Sequence, residues 1–224
     1  MKKLLAGFLM IAVLGMGCKN MSKSQKGAVL GTVAGGAIGA GVGSANGKVV
    51  LGAIIGATVG GVTGAVIGHN MDKQAEEMKK NLPDATVERV GEGIVIEFNS
   101  KILFGFDQSA LTTQARKNMA SLVDVLQKYP DTDIEIQGHT DNTGTASYNL
   151  ALSKRRATAV ESYLTSNTIA SSRLNIKGFG ETQPKYDNGT NDGQNQNRRV
   201  EFLITANEKM KAEAAKEAEK NGGK

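Results

Sequence analysis

With one cysteine, two histidines, no tryptophan and an aromatic share of 4%, this chain of 224 residues is short of the groups on which most site chemistry depends. Cys18 has no second thiol to pair with, so an internal disulfide is excluded and the lone thiol needs another purpose. His69 and His139 stand far apart in the chain, which excludes the closely spaced ligands of a zinc set and leaves His139 as a packing or supporting residue. No Ser-His-Asp or Cys-His arrangement occurs at workable spacing, and neither Ser147 nor Ser153 has an evident base, so no enzymatic activity is expected. The glycine runs lack the Lys-Ser/Thr ending of a phosphate loop, and no cofactor is expected. A net charge of +5 would permit contact with nucleic acid, but the basic residues are scattered among nearly as many acids, without a basic stripe interleaved with aromatics, and nucleic-acid binding is not expected. Missing too is any series of amphipathic ten-residue strands, which argues against a membrane barrel.

What is present begins with Met1-Lys2-Lys3, an apolar run from Leu4 to Leu14, and Gly15-Met16-Gly17-Cys18. This is the layout of a secretory signal with small residues at the cut. The segment resembles a bacterial lipoprotein signal, in which the cysteine after a Leu-x-x box carries diacylglycerol and an N-acyl chain. It departs from that pattern in placing Leu14 four residues before Cys18, with Gly15 where a leucine is usual. The resemblance implies a signal peptide over 1–17, lipidation at Cys18 and a lipidated linker over 18–26. Acyl chains contribute ~0.8 kcal/mol per buried methylene, so several of them would hold the chain on a membrane essentially permanently.

From residue 27 to residue 70 glycine recurs at every fourth position in two runs, Gly27, Gly31, Gly35, Gly39, Gly43, Gly47 and then Gly52, Gly56, Gly60, Gly64, Gly68. Ala, Val, Ile and Leu fill the intervals, and a turn is expected at Ser44-Ala45-Asn46-Gly47. This spacing predicts a helical hairpin, each run presenting a flat ridge that a second backbone can approach closely. Each interior glycine costs a helix ~1 kcal/mol relative to alanine, so neither helix should persist alone in water. The second run would span ~30 Å and the first ~24 Å, which makes membrane insertion marginal. The pattern is similar to the glycine zippers of several outer-membrane lipoproteins.

A charged, helix-prone stretch over 71–92, interrupted by Pro83, reads as a linker to a globular part over 93–206, followed by a charged tail over 207–224. Strands are expected at Ile94 to Phe98, Lys101 to Phe106, Asp133 to Gly138, Leu174 to Phe179 and Arg199 to Ile204, and helices at Thr112 to Tyr129 and Tyr148 to Leu164. The fold class is α/β, with about four strands and two or three helices. Asn188 to Asn197 has the composition of a polar loop, and Glu208 to Lys220 reads as a solvated helix or a frayed end.

The most informative stretch runs from Asn149 to Leu164. On a helix Asn149, Ser153 and Arg156 share one face, and Asp141 lies just upstream, after a strand, where α/β sheets tend to present binding groups. An anion and a cation on neighbouring elements suit a small zwitterion. Asn149, Leu152, Ser153, Arg156, Ala157, Val160 and Leu164 together resemble the signature of the OmpA-like C-terminal domain, shared by outer-membrane porins, peptidoglycan-associated lipoproteins and flagellar stator proteins. Phe104-x-Phe106-Asp107, Gly138-His139-Thr140-Asp141 and Asn197-Arg198-Arg199-Val200 fall in the order of that family. The resemblance implies an α+β sandwich that binds peptidoglycan non-covalently through the diaminopimelate of its stem peptide. Asp141 would hold the ammonium and Arg156 the carboxylate, with Asp107, Thr143, Asn149 and Arg198 or Arg199 completing the pocket. It further implies an outer-membrane location, a periplasmic domain and a tether between membrane and wall. An alternative is an oligomeric assembly or pore built by the zipper hairpin, with the domain as its mooring.

Overall fold

The computed structural model describes residues 62–105 and 107–222. The signal segment, Cys18, most of the glycine hairpin and with it the assembly or pore alternative, and Phe106 lie outside the described residues. The elements in chain order are α1 (Val62–Asn81), β1 (Thr86–Val90), β2 (Gly93–Asn99), α2 (Ser100–Leu103), α3 (Thr113–Lys128), β3 (Thr132–His139), α4 (Ala146–Ser166), a 3-10 turn (Ser171–Arg173), β4 (Leu174–Gly180), α5 (Asn191–Asn197), β5 (Arg199–Ala206) and α6 (Glu208–Gly222). They form a mixed α/β fold around one five-stranded sheet of order β1-β2-β5-β3-β4. Only β3 and β4 run parallel, joined by the crossover helix α4; every other pair is antiparallel.

Alternation explains which face is covered. Ile94, Ile96 and Phe98 of β2, Val200, Phe202 and Ile204 of β5, and Ile134 and Ile136 of β3 are fully or almost fully buried. Phe98 and Phe202 meet edge to face at 5.9 Å. Met119, Leu122 and Leu126 of α3 and Ala157, Val160 and Leu164 of α4 recur at helical spacing and join the same core.

The fifth strand is β1, which lies in the stretch expected to be a linker. Its hairpin with β2 pairs Val90 with Gly93, leaving Gly91 and Glu92 as the turn, and Gly91 takes φ +57, as such tight connections require. Helix α1 takes in the end of the glycine run and the first half of the charged stretch, and inserts Ile67, Met71, Ala75 and Met78 into the core.

Three local expectations are corrected. The strand expected over Lys101 to Phe106 does not start at Lys101: the Asn99 side chain accepts from the Lys101 N–H at 2.9 Å and starts the helical turn α2, which runs to Leu103 and buries Ser100 and Leu103. The asparagine-rich stretch is not wholly loop, because Thr190 caps α5 by accepting from the Gly193 N–H at 3.0 Å, with Asp192 in the first turn. Asn197 at the end of α5 is fully buried; its Oδ1 accepts from the Lys185 and Tyr186 N–H groups and its Nδ2 donates to Tyr186 O, which pins the preceding loop. The tail is a helix that packs, since Met210 and Ala214 of α6 bury against the core beside α1.

Candidate functional site

The site exists because α4 lies directly on the sheet. A Cβ on Gly138 of β3 would sit 2.2 Å from the Ser153 carbonyl oxygen, and one on Gly178 of β4 would sit 2.8 Å from Lys154 N. Gly180, at φ +55, would place its Cβ 2.8 Å from Leu150 N. Three glycines thus form a seam that admits a helix backbone. Ser153 bolts it, donating to Leu150 O and accepting from the Gly180 N–H, each at 2.9 Å. Thr145 caps α4, its hydroxyl accepting from the Tyr148 N–H. The first turns of α4 are thereby held against the loop that follows β3.

Asp141 lies in that loop and is only 4% exposed. Its Oδ1 accepts from the Thr143 N–H at 2.9 Å, and its Oδ2 forms a salt bridge with Arg198 Nη1. Arg198 also donates to Asn195 Oδ1. Asn149 of α4 donates from Nδ2 to Glu181 Oε2 at 2.6 Å, to Thr143 O at 3.1 Å and, longer, to Asp141 O at 3.3 Å. Asp141, Thr143, Asn149 and Arg198 therefore form one cluster.

Arg156 is 5% exposed, seven residues further along α4 and ~10 Å from Asn149 along the helix axis. Helical side chains lean back toward the N-terminus, which directs its guanidinium toward the first cluster. Nε donates to Gln108 O at 3.0 Å and the guanidinium stacks 5.2 Å from the centre of the Phe104 ring. Nη1 and Nη2 have no hydrogen-bond partner among the described residues. Burial pulls the guanidinium pKa down, opposed by Asp107 and Tyr148, while the nearby Arg198 adds to the depression. Asp107 sits in the left-handed region at φ +55 and accepts from the Tyr148 hydroxyl, which raises the Tyr148 pKa. Tyr148 stays 40% exposed, with the Arg155 guanidinium 5.9 Å from its ring centre.

Asp141 and Arg156 form no ion pair with each other among the described residues; Arg198 is bonded to the first and repels the second. Of the two neighbouring arginines, Arg199 is directed elsewhere. It is 4% exposed, and its three nitrogens donate to Glu201 Oε1 at 2.6 Å, Asn197 O at 3.2 Å and Gln183 O at 3.3 Å. Arg198 closes helix α5 and Arg199 opens β5, and their side chains take different partners, Asp141 for the first and Glu201 for the second. Sequence reading missed Glu181, Gln108, Phe104 and Tyr148 as members of this site. Gln108 contributes a backbone carbonyl, which no side-chain pattern reveals, and nothing in the sequence separates Glu181 from any other polar loop residue.

Residues 103–198 match the OmpA family and residues 1–72 match the YMGG-like Gly-zipper family. The Outer-membrane lipoprotein YfiB of Pseudomonas aeruginosa is 31% identical over 115 residues, covering 51% of this chain and 68% of that protein. The chain belongs to the OmpA family. Within that OmpA match fall all the candidate site residues from Asp107 to Arg198, while Arg199 lies one position beyond it. The Probable lipoprotein YiaD of Escherichia coli is 31% identical over 140 residues, 62% of this chain and 64% of that protein. Among solved OmpA-like folds, the cell wall anchor of the T6SS from Pseudomonas aeruginosa aligns with a TM-score of 0.53 and 26% identity, over 61% of this chain and 96% of that one. The chain spans 16% to 64% of the length of the first four curated relatives it matches.

Proposed function

We propose that this OmpA-family chain is a lipid-anchored outer-membrane protein whose domain faces the periplasm and binds peptidoglycan without covalent chemistry, tethering membrane to wall. The recognised group is the zwitterionic tip of diaminopimelate in the stem peptide. One observation carries the reading: Arg156 is buried, yet both terminal nitrogens of its guanidinium lack a protein acceptor among the described residues. A buried guanidinium with its fork unfilled suits a bidentate carboxylate. Asp141 would take the ammonium at the other end. Its two oxygens already face Thr143 and Arg198, but a carboxylate offers about four acceptor positions, so room remains for a third donor. Similarity to a cell wall anchor and to outer-membrane lipoproteins supports the same assignment. Anchoring through acylated Cys18 would raise the effective concentration at the wall, so even a site of modest affinity would suffice.

Asp141→Ala or Arg156→Ala is expected to weaken sedimentation with purified sacculi by roughly tenfold to a hundredfold, the worth of one charge-assisted contact. Free diaminopimelate should compete with the unsubstituted protein. Undiminished sedimentation of both variants would remove the pocket from consideration.

A further inference from the structure

Glu181 follows directly on β4 and has no place in the reading above, yet it makes the shortest hydrogen bond to Asn149, accepting from Nδ2 at 2.6 Å. The other two groups against the same nitrogen, Asp141 O and Thr143 O, are backbone carbonyls. All three neighbours can only accept. Turning the amide over would set Asn149 Oδ1 against a carboxylate and two carbonyls, so one orientation is enforced. No donor among the described residues reaches Oδ1 in that orientation. Asn149 is only 2% exposed as a residue, yet Oδ1 is not one of the fully enclosed unpartnered atoms, so what exposure remains leaves this oxygen open to a donor from outside the protein.

We propose that Glu181 is a positioning residue that sets the specificity of the site: by holding the Asn149 amide, it aims Oδ1 as an acceptor for the ammonium of the ligand. This rests on the diaminopimelate reading and deepens it. Asp141 supplies the charge for the ammonium, and Asn149 Oδ1 supplies direction, which a carboxylate already shared with Thr143 and Arg198 cannot give alone. The role of Glu181 is its acceptor oxygen, not its charge. Glutamine at 181 keeps such an oxygen and alanine does not.

The full chain in detergent micelles would be titrated with two ligands: a stem tripeptide ending in diaminopimelate, and an analogue with hydrogen in place of the distal amino group. The unsubstituted protein should favour the first. In Glu181→Ala that preference should fall roughly tenfold, the worth of one hydrogen bond to a charged group, while affinity for the analogue holds. Glu181→Gln should restore most of the preference. The side-chain amide NMR signals of Asn149 should shift in the alanine variant and return toward their original positions in the glutamine variant.

Equal loss of both ligands in Glu181→Ala would assign Glu181 to structure alone, and equal loss of preference in both variants would assign it to bulk charge; either overturns the proposal. An unsubstituted protein that binds both ligands equally also overturns it. Failure to bind either ligand would instead sink the diaminopimelate reading itself.

Discussion

Gly138→Ala should unfold the domain at a far lower urea concentration than the unsubstituted protein, a loss of about 4 kcal/mol or more. The added methyl carbon would stand 2.2 Å from Ser153 O and 2.8 Å from Ser153 C, both backbone atoms. A flexible side chain could swing aside, but α4 cannot. It is held on the same strands by Ser153 through Gly180, and by Ala157, Val160 and Leu164 in the core. Relief would require lifting the helix, which opens the core and draws Asn149 and Arg156 away from Asp141. Gly68→Ala supplies the opposite sign. Nothing lies within 4 Å of a Cβ there, and within α1 alanine should gain up to ~1 kcal/mol. Equal unfolding midpoints for Gly138→Ala and the unsubstituted protein would disprove the close seating of α4.

Mild acid should produce the second large effect, through His139. The imidazole is 1% exposed, neither ring nitrogen has a hydrogen-bond partner among the described residues, and the ring stacks 5.2 Å from that of Phe179. Burial, with Arg199 and Lys185 nearby, pushes its pKa from 6.5 down to about 2. The sign follows from which state takes up the proton. Below pH 6.5 the unfolded chain protonates at this position and the folded one does not, so stability is full above 6.5 and declines as pH falls toward 2. The slope attributable to one such group is about 1.4 kcal/mol per pH unit. Urea midpoints between pH 7 and 5 separate this contribution from most carboxylate titration. His139→Phe keeps a ring against Phe179 and should lose one proton's worth of slope; an unchanged slope would mean that His139 is protonated in the folded domain.

Strong periodicity made much of this fold legible before any coordinates. Apolar spacing in α3 and α4 and alternation in β2, β3, β4 and β5 are local patterns, and each appeared close to where it was expected. β1 escaped because Thr86-Val87-Glu88-Arg89-Val90 is an edge strand with one buried residue, too weak a pattern to distinguish from a linker. α2 and α5 escaped because their starts depend on a single capping side chain, Asn99 or Thr190, within short polar or ambiguous stretches. The packing of α6 escaped because Met210 and Ala214 form too thin a stripe, and its partner α1 lies at the far end of the described chain.

By itself the sequence determined the α/β class and the helix face shared by Asn149, Ser153 and Arg156, since both follow from spacing along single elements. Tertiary structure alone decided that Arg198 meets Asp141 while Arg199 turns to Glu201, that Glu181 sets the Asn149 amide, and that three glycines let α4 rest on the sheet. Those outcomes depend on atoms brought together from distant parts of the chain, where a shift of one residue in strand register reverses which side chain faces which neighbour.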